Sequence, residues 1–195
     1  MAVDAALVRE LRDKSGAGVM DCKGALTESG GDVQKAIDIL RKKGIEAAES
    51  KTGRQLAEGR VGSYIHFGGR IGVILEAGCE TDFVAKTKEF QNLLKDLCMH
   101  IAASNPKWTS REEVADDVLE REREVYRAQF ADKPANVIDK IVDGKLESFF
   151  KETCLLEQPY VKDQDITVND HIKECVGKLG ENIQVRKFAR LAVGE

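Results

Sequence analysis

The fold class depends on residues 61–75, which read VGSYIHFGGRIGVIL. Two runs rich in β-branched and aromatic residues flank the pair Gly68-Gly69, and this spacing is typical of a β-hairpin with a two-residue loop. Because hairpin strands are antiparallel and the segments around them have helical periodicity, an α+β fold is favoured over a doubly wound parallel sheet. Apolar and polar residues alternate over residues 183–193, which we expect to form a closing strand beside the hairpin.

The chain before the hairpin has the pattern of three short helices separated by glycine-rich breaks. Asp21 is expected to cap the second helix, and Gly44 is placed to end the third. The segment after these helices has almost no bulky aliphatic residues, so it is suited to a linker. We therefore predict a three-helix module at residues 1–45, a linker at 46–58 and an α+β core at 59–195.

Further helices are predicted in the core from their apolar periodicity and their start signals. The residues expected to cap them or to lie in their first turns are Thr81 or Asp82, Ser110, Pro134 and Thr167. The first of these helices is expected to run unbroken through Val84 to Ile101. Ser110 and Glu113 have the spacing of a capping box, which we expect to open a highly charged helix.

Composition and charge narrow the functional classes. The 195 residues contain 30 Lys and Arg against 34 Asp and Glu, a net charge of -4, so we expect no direct binding of nucleic acid. The sequence has no run of 18 apolar residues and no secretory start, which predicts a soluble, cytoplasmic protein without membrane contact. Its five cysteines are widely spread and form no C-x-x-C pair, so reduced thiols are expected.

The sequence contains none of the common catalytic or phosphate-binding motifs, so we expect no enzyme activity, no catalytic residues and no cofactor. Cys98 and His100 are two residues apart on a predicted helix and point in different directions, so no metal site is expected there. A weaker enzymatic hypothesis would use Cys79, Glu80 and Asp82, although the spacing identifies no base or orienting group for them.

The segment Glu80-Thr81-Asp82-Phe83 lies at a predicted strand-to-helix junction and admits two interpretations. From periodicity, Asp82 caps the helix while Phe83 points inward, in line with Phe90. Alternatively, the acidic groups and the ring project from the end of a rigid element, where functional side chains are often found. The sequence pattern leaves both interpretations open.

Two blocks carry a resemblance to a known family. Residues 11–26, LRDKSGAGVMDCKGAL, and residues 76–86, EAGCETDFVAK, resemble the two signatures of the translation elongation factor Ts family. The shorter segments that resemble the family, in the same order along the chain, are residues 62–66, 70–73, 100–106 and 180–183. The chain is similar to the short form of the family, which has a single α/β core.

The resemblance implies a guanine nucleotide exchange factor that binds elongation factor Tu, both GDP-bound and nucleotide-free, and that forms a homodimer. It implies that the N-terminal module is ubiquitin-associated-like and docks on the GTPase domain, while Phe83 and Asp82 enter near the nucleotide site. The partner-binding residues that follow from it are Leu11, Val19, Met20, His66, Thr81, Asp82, Phe83 and Val84. The alternative is a helical adaptor whose N-terminal module binds ubiquitin-like or peptide ligands.

Overall fold

A computed structural model describes residues 3–195, and it begins with the three predicted helices. These are α1 (Ala5–Ser15), α2 (Val19–Glu28) and α3 (Val33–Glu49). They pack around a buried apolar cluster that includes Leu11 and Leu26. Asp21 does not cap α2 as predicted, because the helix already begins at Val19 and Gly18 occupies the cap position without a side-chain hydrogen bond. The carboxylate of Asp21 instead lies in the first turn, where a negative charge favours the helix.

Helix α3 does not end at Gly44, contrary to the prediction, but continues to Glu49. The glycine serves a close helix contact with α8 (Val168–Leu179), because a Cβ built on Gly177 would lie 2.8 Å from the Gly44 Cα. Small residues on both helices allow this approach. The end of α3 therefore lies within the predicted linker at 46–58, and the division into three segments stays a prediction.

The hairpin and the closing strand form one antiparallel sheet, which confirms the predicted α+β class. Its strands are β1 (Glu58–Ile65), β2 (Ile71–Cys79) and β5 (Ile183–Ala192), in the order β1-β2-β5. The connection is longer than the predicted two residues, since the His66 amide bonds the Ile71 carbonyl at 2.8 Å and the strands stop there. Gly68 and Gly69 have φ values of 86° and 69°, a left-handed conformation that glycine adopts readily.

The predicted helix from Val84 to Ile101 is divided in two. A single turn, α4 (Asp82–Ala85), is followed by α5 (Lys88–Ser104). Thr87 separates them, because its hydroxyl donates to the Val84 carbonyl at 2.8 Å and accepts from the Phe90 amide at 3.2 Å. A threonine hydroxyl thus takes over backbone groups that an unbroken helix would pair internally.

The remaining elements are helical apart from one short hairpin. They are α6 (Asp116–Gln129), α7 (Ala135–Thr153), β3 (Pro159–Tyr160) and β4 (Asp163–Thr167). Ser110 does not open α6 as predicted, since a 3-10 turn at Arg111–Glu113 comes first. Glu113 bonds the Thr109 amide at 2.9 Å instead of completing a capping box with Ser110. Pro134 caps α7 rather than entering its first turn.

The chain divides into two compact units. The first takes the chain up to Arg60, Ala77–Leu93 and Asp170–Gln184, and the second takes Val61–Glu76, Leu94–Asn169 and Val185–Glu195. The N-terminal helices and α4 therefore belong to the first unit. All five cysteines are buried and unpaired, as expected for reduced thiols.

Candidate partner-binding site

Phe83 is the most unusual side chain of the first unit, because its ring is 78% exposed. The inward orientation that periodicity favoured is wrong, since the break after Ala85 takes α4 off the buried stripe of α5. Thr81, not Asp82, caps α4, and its hydroxyl accepts a hydrogen bond from the Val84 amide at 3.4 Å. Phe83 thus projects into solvent from a capped turn directly after β2.

The turn before Phe83 is anchored by a residue about a hundred positions away in sequence. One carboxylate oxygen of Glu181 accepts hydrogen bonds from the amides of Glu80, at 3.1 Å, and Thr81, at 2.9 Å. Its other oxygen accepts the Thr81 hydroxyl at 2.6 Å. The Glu80 carboxylate in return accepts the Asn182 amide at 2.7 Å. The turn at Glu80 and Thr81 and the turn at Glu181 and Asn182 are therefore joined by hydrogen bonds in both directions.

The sequence analysis assigned no role to Glu181 or Asn182. The only signal was that residues 180–183 resemble a family segment, which gave no indication that this segment lies beside Thr81. Hydrogen-bond partners so far apart in sequence follow from tertiary structure and from no local pattern.

Asp82 faces solvent at the start of α4 and pairs with Lys86, whose ammonium nitrogen lies 2.6 Å from a carboxylate oxygen. The hydrogen bond from Lys86 lowers the pKa of the Asp82 carboxyl, and the same bond raises the pKa of Lys86. Asp82 is therefore ionised at neutral pH and carries a negative charge next to the exposed ring. The pair is exposed and contributes little to folding stability.

Val84 and Cys79 lie beneath this turn and are buried. The thiol of Cys79 donates to the Thr81 carbonyl at 3.1 Å. Burial raises the pKa of Cys79, and the nearby charge of Glu181 raises it further. A buried, protonated thiol is a poor nucleophile, which argues against the enzymatic hypothesis based on Cys79. The predicted partner contact of Val84 also needs revision, because this side chain packs inward and supports the turn.

The second predicted contact region lies at the start of α2. Val19 is 50% exposed and Met20 is 76% exposed, so two apolar side chains face solvent in the first turn of this helix. Leu11, predicted as a neighbouring contact, is instead fully buried in the cluster between the three helices. Leu11 therefore supports the helices and presents no surface to a partner.

His66 lies in the second unit, at the end of β1, and is exposed. Its Nδ1 atom is 3.1 Å from the Tyr64 hydroxyl. Tyr64 is half-buried, whereas Phe67, the next residue after His66, is almost fully exposed.

Within residues 3–195, no three His, Cys, Asp or Glu side chains are grouped so that they could hold a metal ion. None of the described helices combines the length and the apolar character that crossing a membrane requires. Phe83, Val19 and Met20 are large apolar side chains of the first unit that lie exposed.

The chain is similar to known proteins over almost its whole length. The family model described as Elongation factor TS matches residues 6–195. The elongation factor Ts of Caldanaerobacter subterraneus is 58% identical over 195 residues, which cover 99% of this chain and 98% of that protein. The elongation factor Ts of Fervidobacterium nodosum is 54% identical over 197 residues and is covered in full, as is this chain. The chain therefore belongs to the elongation factor Ts family.

Proposed function

We propose that the chain is a guanine nucleotide exchange factor for elongation factor Tu and acts in the elongation phase of protein synthesis. The observation that carries the proposal is the ring of Phe83, held 78% in solvent by a hydrogen-bonded turn in a chain of this family. Leaving such a ring exposed forgoes about 1.5–3 kcal/mol of burial free energy. A partner that buries the ring recovers this free energy, so the exposed ring is suited to binding.

Exchange of this kind needs no covalent chemistry, so the chain is not an enzyme in that sense. A GTPase holds GDP through backbone amides, a lysine and a Mg²⁺ ion that neutralises the phosphate oxygens. Displacing the elements that hold the metal or the phosphates releases the nucleotide. Phe83 acts as a wedge between such elements, because an aromatic side chain buries about 150–250 Å² in a partner pocket.

Asp82 and Thr81 support the wedge in different ways. The ionised carboxylate of Asp82 lies next to the ring and competes for hydrogen-bond donors near the phosphate site. Thr81 caps α4 and fixes the direction in which Phe83 leaves the chain. Val84 packs under the turn.

Docking of the partner uses a separate surface at the start of α2. Val19 and Met20 contact the GTPase domain through the ubiquitin-associated-like module, and Leu11 supports them from the buried side. His66, at the end of the hairpin, contacts another domain of elongation factor Tu. Two apolar contacts in the first unit and one polar contact in the second thus share the recognition of the partner.

Thermodynamic linkage completes the cycle. If the chain weakens GDP binding by some factor, GDP must weaken binding of the chain by the same factor. The chain therefore binds the GDP-bound and the nucleotide-free partner, and entry of GTP displaces it. The nucleotide equilibrium itself is not altered.

The organisation that we propose has a three-helix module at 1–45, a linker at 46–58 and an α+β core at 59–195 through which two chains form a homodimer. Apolar residues on one sheet face support the homodimer. Ile65 on β1 and Ile74 on β2 are both exposed, and Ile65 lies over Gly72, where an added Cβ would be 3.1 Å from its Cδ1 atom. Exposed apolar area of this kind marks protein interfaces. The site of action is the cytoplasm.

The decisive experiment measures release of a fluorescent GDP analogue from elongation factor Tu after mixing with an excess of unlabelled GDP. We expect the chain to accelerate release in proportion to its concentration until it saturates. A release rate that does not change with added chain would contradict the proposal. Sedimentation velocity of the same preparation tests the homodimer, and Ile74→Lys should convert dimers to monomers.

A further inference from the structure

We propose that Glu181 is a positioning residue for exchange, which holds the Phe83 turn in the geometry that the wedge needs. This inference rests on the proposed function, because it assigns Glu181 an effect on nucleotide release that it exerts only through Phe83. Glu181 itself lies in the turn between α8 and β5.

The two carboxylate oxygens of Glu181 accept hydrogen bonds from three donors. The amides of Glu80 and Thr81 share one carboxylate oxygen, and the Thr81 hydroxyl takes the other at 2.6 Å. Hydrogen bonds to an ionised acceptor are about twice as strong as neutral ones. A single side chain therefore fixes two consecutive peptide groups of the turn that leads into α4.

Hydrogen bonds restrain both the side chain and the backbone of Thr81. Its hydroxyl donates to Glu181 and accepts from Val84, and its carbonyl accepts the Cys79 thiol at 3.1 Å. The backbone at Thr81 is extended, with φ −129° and ψ 156°. Phe83 follows two residues later, so the orientation of Thr81 sets the direction of the ring.

The two turns are held together in both directions. The Glu80 carboxylate accepts the Asn182 amide at 2.7 Å and lies 3.5 Å from a guanidinium nitrogen of Arg54. The Asn182 side-chain amide donates to the Arg54 carbonyl at 3.2 Å. Asn182 itself is buried. The base of the Phe83 turn is thus fixed from the chain after α3 and from the chain before β5.

Loss of Glu181 should affect the wedge more than docking. Without the carboxylate, the turn can change orientation, and the exposed ring can then fold back onto the surface of its own chain, since that buries apolar area. The hydrogen bonds of Glu181 go to Glu80 and Thr81, whereas the docking residues Val19 and Met20 lie in the first turn of α2, so we expect their exposure to be kept. We therefore expect a lower maximal rate of nucleotide release at an unchanged half-saturating concentration.

The test is a double-mutant cycle on release of a fluorescent GDP analogue from elongation factor Tu. Glu181→Ala should lower the maximal stimulated rate about tenfold, since small misplacements of a positioned group have effects of this size. In a Phe83→Ala background the same change should have no further effect, because Glu181 acts through the ring. Glu181→Gln keeps the side-chain volume and an oxygen for the two amides, and should recover the rate to within about threefold of the parent.

Glu113→Ala is the matched control, because it removes a carboxylate that bonds a turn amide at 2.9 Å in the second unit. This variant should keep the parent rate. Circular dichroism and thermal unfolding test whether Glu181→Ala is folded. If that variant does not fold, Thr81→Val, which replaces the hydroxyl by a methyl group, takes its place in the double-mutant cycle with Phe83→Ala.

The inference is overturned if the alanine variant releases nucleotide at the parent rate. It is also overturned if the loss is equally large with and without Phe83, or if only the half-saturating concentration changes. Failure of the proposed function itself is distinct, because then the parent chain would not accelerate release at all.

Discussion

Two turns of the first unit hold a large apolar side chain in solvent, and they are built in different ways. Phe83 is 78% exposed on a turn whose backbone is bonded to Glu181 and capped by Thr81. Met20 is 76% exposed at the start of α2, where Gly18 caps the helix without any side-chain hydrogen bond. The Phe83 turn is anchored by hydrogen bonds to residues about 100 positions away, whereas the turn before Met20 has only local side-chain bonds, such as that from the Ala17 amide to the Ser15 hydroxyl at 3.2 Å, and rests on apolar packing.

The difference suits the two roles that we propose. A wedge must keep its orientation while it displaces elements of the partner, because a side chain that moves aside exerts no force on them. A docking surface needs only apolar area that fits the partner, and small adjustments on binding do it no harm. Polar anchoring of the Phe83 turn and apolar support under Met20 are what the proposed wedge and the proposed docking surface would each require.

The turn that carries Val19 and Met20 is called the docking turn. The largest effect on stability is expected when the apolar packing beneath it is reduced. Leu11→Ala should lower the free energy of unfolding by about 2–5 kcal/mol, because it leaves a cavity between the three helices. Urea unfolding followed by circular dichroism measures it. Leu191→Ala is the control, since that leucine is 77% exposed and its truncation should cost no more than about 0.5 kcal/mol. Equal stability of the two variants would show that packing does not support the Met20 turn.

The second-largest effect is expected on the rate of GDP release when the ring of Phe83 is removed. Phe83→Ala should leave unfolding nearly unchanged, because the ring is exposed, and should lower the maximal rate of GDP release by about tenfold or more, equivalent to about 1.4 kcal/mol. Stopped-flow fluorescence with elongation factor Tu measures the rate. Val125→Ala, which truncates an exposed apolar side chain on α6, serves as the control. A parent-like rate in the Phe83 variant would remove the wedge from the mechanism.

A smaller effect is expected at the docking turn itself. Met20→Asp should raise the half-saturating concentration of the chain about fivefold, because a charge replaces apolar contact area at the interface. The maximal rate of release should stay the same. Met20→Leu, which keeps the apolar character, should bind as the parent does. An unchanged concentration dependence in the Asp variant would mean that Met20 does not contact the partner.

The smallest effect is expected from giving α2 the side-chain cap that it lacks. Gly18→Ser supplies the missing cap of α2 and should raise the free energy of unfolding by about 0.3 kcal/mol. The new Cβ would lie 2.9 Å from Asp21 Oδ2, the end of a flexible side chain that can turn away. Thermal unfolding measures the gain. A lower exchange rate in this variant would show that adaptability at α2 is needed for docking.

Local patterns predicted most of the fold. Residues 61–75 form the expected hairpin strands, because β-branched residues around paired glycines satisfy strand and turn geometry together. The three N-terminal helices follow from apolar periodicity and glycine breaks. The prediction at Gly44 failed where a tertiary contact is made, since Gly177 packs against Gly44, whereas the prediction at Ser110 failed locally, because Glu113 bonds the Thr109 amide instead.

The candidate site was predicted only in part. The family signature at residues 76–86 identified Phe83, but the periodicity of the following helix placed the ring inward. The hydroxyl of Thr87 breaks that helix and so reverses the conclusion. Leu11 was identified with its neighbours by the same resemblance, yet it lies in the core.

The sequence alone determined the family, the order of the elements and the chemical types at the site, since these depend on local spacing and residue identity. Tertiary structure decided which apolar residues face solvent and which carboxylate anchors the Phe83 turn. The physical reason is that Glu181 and Thr81 are joined by hydrogen bonds of 2.6–2.9 Å across 100 residues of sequence. No periodicity records such a contact, because it exists only when β2 and the start of β5 lie side by side in the folded sheet.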